Sequence, residues 1–175
     1  MVINKADLIQ VQPVSPFCLK KCVHSSGTSF GLGEAGYDIR LKQTIHFYED
    51  KVYIDDQELD GHFCIASSIE RFKMPNNLVA IVHDKSTWAR QGLSVFNTVL
   101  EPGWEGYLTL ELVYHGKKDL FIPSGSGIAQ VVFHQLSNPA NYAGKYQNQP
   151  DKPVDSIWQK EGNDGQSNGI EESLS

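Results

Sequence analysis

The stretch GYLTLELVY (106–114) alternates large apolar and mixed side chains with a period of two, the pattern of an extended strand with one buried face. Leu108, Leu110 and Leu112 fall on one face, and Tyr107, Thr109, Glu111 and Val113 on the other. Shorter runs of strand character recur at 36–41, 44–48, 51–54, 63–68, 78–83, 94–100, 119–123 and 128–136. Turn signals separate them: Glu49-Asp50, Asp60-Gly61, Pro75-Asn76-Asn77, Pro102-Gly103, His115-Gly116 and Ser124-Gly125. Many short strands at this spacing predict an all-β sandwich or barrel.

Helix is scarce. Residues 4–10 form one short candidate, capped by Asn4. Residues 86–92 form a second, with Ser86 near the N-cap and Gly92 at the end. With 175 residues the chain suffices for one domain, expected over 1–159, and 160–175 reads as a polar, acidic, disordered tail without aromatics. No run approaches the length of about 20 apolar residues needed to span a bilayer. The first ten residues lack the apolar core of a signal peptide, so a cytoplasmic location is expected.

A net charge of −6 argues against a polymeric nucleic-acid binder, which needs a basic face, but leaves room for a single nucleotide held by a few local cations. Cys18, Cys22 and Cys64 are an odd number and read as free structural or surface thiols. CLKKC (18–22) could begin a metal site, yet no second Cys or His pair follows at ligand spacing. The six histidines are scattered, and packing or solvent exposure is the expected state of each.

Two segments concentrate groups capable of chemistry. In DKSTWARQGL (84–93), Lys85 and Ser86 lie at the start of a possible helical turn, and Arg90 lies four residues from Ser86, on the same helical face. Backbone N–H groups there, with Lys85, could hold an anion, and the planar fork of Arg90 suits a phosphate or a polarised carbonyl-like group. The plainer alternative is a capped surface turn with solvated charges. Glu111 sits mid-strand between Thr109 and Val113. It is either an exposed or ion-paired glutamate, or a desolvated carboxyl whose raised pKa suits proton transfer. In NTVLEPGWEGYLTLEL (97–112), the Pro102-Gly103 turn could offer backbone groups to the edge of a planar base.

Four segments in this order, AGYDIRL (35–41), DKSTWARQGL (84–93), NTVLEPGWEGYLTLEL (97–112) and GSGIAQVVFHQL (125–136), followed by GKYQNQ (144–149), resemble the dCTP deaminase and trimeric dUTPase superfamily. Within it, PGW-x-G followed by a strand carrying Glu111, and the ending KY-x-N-Q, resemble the deaminase branch. The dUTPase aspartate pattern and its glycine-rich arm with phenylalanine are missing.

The resemblance implies a distorted β-barrel with one or two short helices, assembled as a homotrimer with active sites between subunits. It implies hydrolysis of dCTP to dUTP and ammonia, with Glu111, Ser86 and Arg90 catalytic. Lys85, Asn97, Thr98, Glu101, Gln130, Tyr142, Lys145 and Gln149 would bind the nucleotide. Lys85 stands where arginine is usual in the family, Glu101 where aspartate is common, and the spacing at Tyr142 is short. Magnesium would arrive on the triphosphate, and dTTP is a candidate inhibitor. No zinc is expected, since the Pro-Cys-x-x-Cys of zinc deaminases is absent. The alternatives are a bifunctional enzyme that also forms dUMP and pyrophosphate, with Glu101 activating the second water, and a non-catalytic nucleotide-binding trimer.

Overall fold

The computed structural model describes residues 1–158; the tail expected from 160 to 175 lies outside them. In chain order the elements are α1 (Lys5–Val11), β1 (Val14–Ser15), β2 (Cys22–Val23), β3 (Ser29–Leu32), β4 (Tyr37–Arg40), β5 (Ile45–Tyr48), β6 (Lys51–Ile54) and β7 (Gln57–Asp60). They continue with β8 (Phe63–Lys73), β9 (Leu78–Asp84), α2 (Ser86–Ala89), β10 (Leu93–Val95), β11 (Val99–Leu100), β12 (Glu105–Tyr114), β13 (Leu120–Ile122) and β14 (Gly127–Gln135).

The strands form three sheets, ordered β1-β8-β12-β10, β11-β9-β14-β4-β3-β2 and β13-β5-β6-β7. All these neighbours pair antiparallel. The alternation in the sequence becomes alternating burial: β9 and β12 put every second side chain into the interior, and Leu108, Leu110 and Leu112 are buried as expected. Tyr37, Phe47, Phe72 and Phe133 are the largest fully buried side chains, so sheets that are each half apolar close on a common core.

The sheets curl into a distorted barrel because β8 changes partners along its length. Tyr107 pairs with Arg71 and Thr109 with Ser67, so three β8 residues, Ser68 to Glu70, face the single residue Leu108. Such a bulge bends and twists its strand. Here the Ser68 hydroxyl accepts from the Leu108 N–H at 3.0 Å, replacing a lost ladder bond. Beyond the bulge β8 meets the second sheet, with Leu41 bridging to Ser68 and the Lys42 N–H donating to the Ser67 carbonyl at 2.9 Å.

Glu70, inside this bulge, is fully buried and bound twice by Arg40, through the backbone N–H at 2.8 Å and Nε at 2.7 Å. Burial pushes its pKa up, opposed by these bonds. Removing one partner of a buried ion pair strands the other charge. Arg40→Ala is therefore expected to cost about 3–5 kcal/mol at neutral pH. Part of that loss should be recovered in acid, since a carboxyl with a raised folded pKa is best tolerated when protonated. Urea denaturation at neutral and mildly acidic pH measures both effects.

Several local expectations are corrected. The run 94–100 is two strands, β10 and β11, because Asp84 Oδ1 takes the Val95 N–H at 2.7 Å and the chain then crosses to β9. Helix α2 stops at Ala89; Lys85, not Ser86, is its N-cap residue, with no side-chain cap, and Arg90 closes it. By contrast α1 carries the predicted Asn4 cap, with Asp7 completing a capping box. The cysteines are free, and burial pushes the Cys64 thiol up to about 12. No described helix is long and apolar enough to cross a membrane.

Candidate active site

Glu111 lies on the open face of β12, opposite the leucine stripe, and lines a cavity of about 560 Å³. Leu59, Phe63, Ile65 and Leu100 form its apolar wall, while Thr98, Glu101, Thr109, Tyr142 and Gln149 contribute polar groups. The Glu111 side chain is half-buried, and burial raises its pKa, opposed only by its own backbone N–H. Desolvation without a cationic partner is the condition under which a carboxyl becomes a proton acceptor useful near neutral pH. Glu70 marks the contrast: its carboxylate is committed to Arg40, whereas that of Glu111 faces a cavity.

The predicted turn at Pro102-Gly103 presents its flanking residues, Glu101 and Trp104, to the cavity. Gly103 has a φ of 76°, and the Trp104 N–H closes the turn on the Glu101 carbonyl at 3.1 Å. A β-carbon at Gly103 would lie 2.3 Å from Asn141 Oδ1, a side-chain end free to turn aside, so it is the left-handed backbone conformation that calls for glycine. The chain after β14 returns to this turn. Tyr142 N–H donates to the Pro102 carbonyl at 2.7 Å, Trp104 Nε1 to the Tyr146 carbonyl at 2.7 Å, and Asn148 N–H to the Glu105 carbonyl at 2.8 Å. Gln149 Oε1 accepts from Thr109 Oγ1 at 3.2 Å, and Thr109 Oγ1 accepts from the Val154 N–H at 3.1 Å. Val154, Asp155 and Ser156 therefore line the same cavity as Glu111. Sequence reasoning missed these three, because the segment has no periodicity and its fold is set by contacts with distant β12.

A second polar group gathers around Asp38 of β4. Asp38 is buried; its Oδ2 takes Lys85 Nζ at 2.5 Å and Lys21 Nζ at 3.0 Å, and its Oδ1 takes the Gln130 amide at 3.3 Å. Ser29 Oγ lies 3.1 Å from Lys85 Nζ. Four residues are too few for a helix stable in isolation, and α2 is anchored by Trp88, which is buried and donates from Nε1 to the Gly127 carbonyl at 2.7 Å. The DKSTWARQGL segment and the start of β14 thus form one unit.

Of the residues named from the sequence, the cavity brings together Glu111, Thr98, Glu101, Tyr142 and Gln149. Lys85 and Gln130 meet instead at Asp38. Ser86, the first residue of α2, and Arg90, its C-cap, are exposed and do not line the cavity; Asn97 is exposed beside Thr98. The Lys145 ammonium donates to the Ile157 carbonyl and lies 5.1 Å from the centre of the Tyr146 ring. Among the described residues, no three His, Cys, Asp or Glu side chains converge as a metal-ligand set.

Comparison with known proteins gives a consistent result. Residues 19–136 match the family described as dCTP deaminase-like. The dCTP deaminase of Campylobacter lari is 33% identical over 159 residues, covering 78% of this chain and 85% of the relative. That of Helicobacter pylori strain G27 is 35% identical over 161 residues, covering 78% and 85%. The crystal structure of 2'-deoxycytidine 5'-triphosphate deaminase from Agrobacterium tumefaciens superposes with a TM-score of 0.54 at 14% identity, covering 77% of this chain and 47% of that one; it shares the fold.

Proposed function

Because the chain belongs to the dCTP deaminase-like family, we propose that it hydrolyses dCTP to dUTP and ammonia. The observation that carries this reading is the half-buried Glu111 carboxyl, its pKa raised by burial, facing a cavity large enough for a pyrimidine. Water adds to C4 of the cytosine; Glu111 takes one proton from that water and gives it to ring N3, then takes the proton of the new C4 hydroxyl and gives it to the departing amine. Ammonia leaves, and the carbonyl of uracil remains.

Ser86 and Arg90 orient the water and hold the polar atoms of the tetrahedral intermediate, the kind of electrostatic support typically worth about 10²–10³ in rate. They are exposed at the two ends of α2 and outside the cavity of their own chain, so they serve the cavity of a neighbouring copy. Phe63, Phe96 and Val99 are about half exposed at and beside the cavity, with the two phenylalanine rings stacked at 6.4 Å. An apolar rim of this kind favours burial against another subunit, in the homotrimer the family resemblance implies. Magnesium enters with the triphosphate, as part of the substrate. Glu101 contacts the sugar in this reading, and Tyr142 lines the same cavity.

A second reading rests on Glu101, a further carboxyl in the same cavity that could activate water for hydrolysis of dUTP to dUMP and pyrophosphate. One assay addresses both. The protein is stripped of zinc by a strong chelator, returned to magnesium, and given dCTP. Ammonia and dUTP without pyrophosphate are the expected products, and dUMP with pyrophosphate would establish the second activity. Deamination lost on stripping and regained only with zinc would overturn the metal-free route at the base.

A further inference from the structure

The Asp38 cluster holds one more positive charge than its carboxylate can cancel. Asp38, 1% exposed, bears a single negative charge, yet two ammonium groups converge on its Oδ2. They are not equivalent. The Lys85 side chain is 9% exposed and is held by both Asp38 and Ser29, so it is the internal partner. The Lys21 side chain is 46% exposed and reaches the same oxygen from the segment entering β2. The nearby acidic residue Glu34 is already bound to Lys5 at 2.9 Å.

The hairpin that Lys21 enters is also held in place. The β2–β3 hairpin lies so close to the 125–127 loop that a β-carbon on Gly127 would sit 1.9 Å from the Ser29 carbonyl oxygen. Thr28 Oγ1 accepts from the Gly127 N–H at 2.9 Å, and Ser126 Oγ meets Ser26 Oγ at 3.0 Å. The hairpin is thus docked on the start of β14, and Lys21, at its entrance, shares Asp38 with Gln130 and with Lys85, the residue preceding Ser86, in a chain whose overall charge of −6 repels anions.

We propose that Lys21 binds the phosphates of the nucleotide, while Lys85 remains on Asp38 and positions the start of α2. This assignment rests on the deaminase reading and deepens it. A half-exposed ion pair is cheap to break, and a polyphosphate offers Lys21 a stronger, charge-assisted partner without leaving Asp38 uncompensated. It divides between two lysines the work that the motif position alone suggests for one.

The test uses the full chain with Lys21→Ala and Lys21→Arg. Lys21→Ala is expected to raise the KM for dCTP about tenfold with kcat nearly unchanged. It should weaken inhibition by inorganic tripolyphosphate to a similar extent and leave the melting temperature in place; Lys21→Arg should restore most of both affinities. An unchanged KM in Lys21→Ala, beside a wild type that deaminates dCTP, overturns the assignment. So does a joint fall in kcat and melting temperature that Lys21→Arg fails to rescue, since that marks a structural role. If the wild type releases no ammonia, the deaminase reading fails instead. Calorimetric binding of tripolyphosphate to wild type and Lys21→Ala then still decides the anion site.

Discussion

Glu111→Gln is expected to release ammonia from dCTP about 10²–10⁴-fold more slowly than the wild type, with nucleotide affinity little changed. The amide matches the carboxyl in shape and still fits the cavity beside Thr109, but it cannot take a proton from water. Single-turnover ammonia release separates this loss from any change in binding. The same substitution should not destabilise the fold. Burial raises the pKa of Glu111, so its favourable contribution is present below the unfolded-state value and is lost as pH rises through the folded value. At neutral pH the wild type bears that cost and Glu111→Gln does not, so the variant should melt at the same or a higher temperature. The wild-type rate should fall in acid along a limb placed above the ordinary carboxylate range, as Glu111 becomes protonated. Near-normal turnover by Glu111→Gln would remove this carboxyl from the chemistry.

How far the sequence could be read depended on whether a feature is local. The alternation of 106–114 and the Asn4 cap are set within a few residues, and both appear where expected. The buried leucine face of β12 also assigned Glu111 to the opposite face, which proved to line a cavity. Strands β1 and β2, two residues each, carry too little pattern to be recognised and exist because a neighbouring strand is there to pair with them. The bulge at Ser68–Glu70 was equally hidden, since it depends on Leu41 and Leu108 reaching β8 from both sides. The same limit applies to the site. Lys85 could be read as a cation beside Ser86, but nothing near it in sequence shows that its ammonium turns inward to Asp38, 47 residues away. Spacing placed Ser86 and Arg90 on one face of a turn without indicating that their own chain's cavity excludes them.

The second large effect concerns that exclusion. Arg90→Ala and Glu111→Gln should each be nearly inactive alone, the first by about 10²–10³-fold through loss of support for the intermediate. If every working site combines Glu111 of one copy with Ser86 and Arg90 of another, the two defects lie in different halves of the site. Co-refolding equal amounts should then create sites in which an intact Glu111 meets an intact Arg90. Random mixing places such a pairing at about a quarter of all sites, so the mixture should recover about a quarter of the wild-type rate. Size-exclusion chromatography with differently tagged variants confirms that mixed oligomers have formed. The most direct measurement is ammonia release from dCTP by those isolated mixed oligomers. Each mixed trimer holds one intact site in three, so recovery near a third of the wild-type rate is the predicted result, and mixed oligomers as inactive as either parent would contradict a site shared between copies.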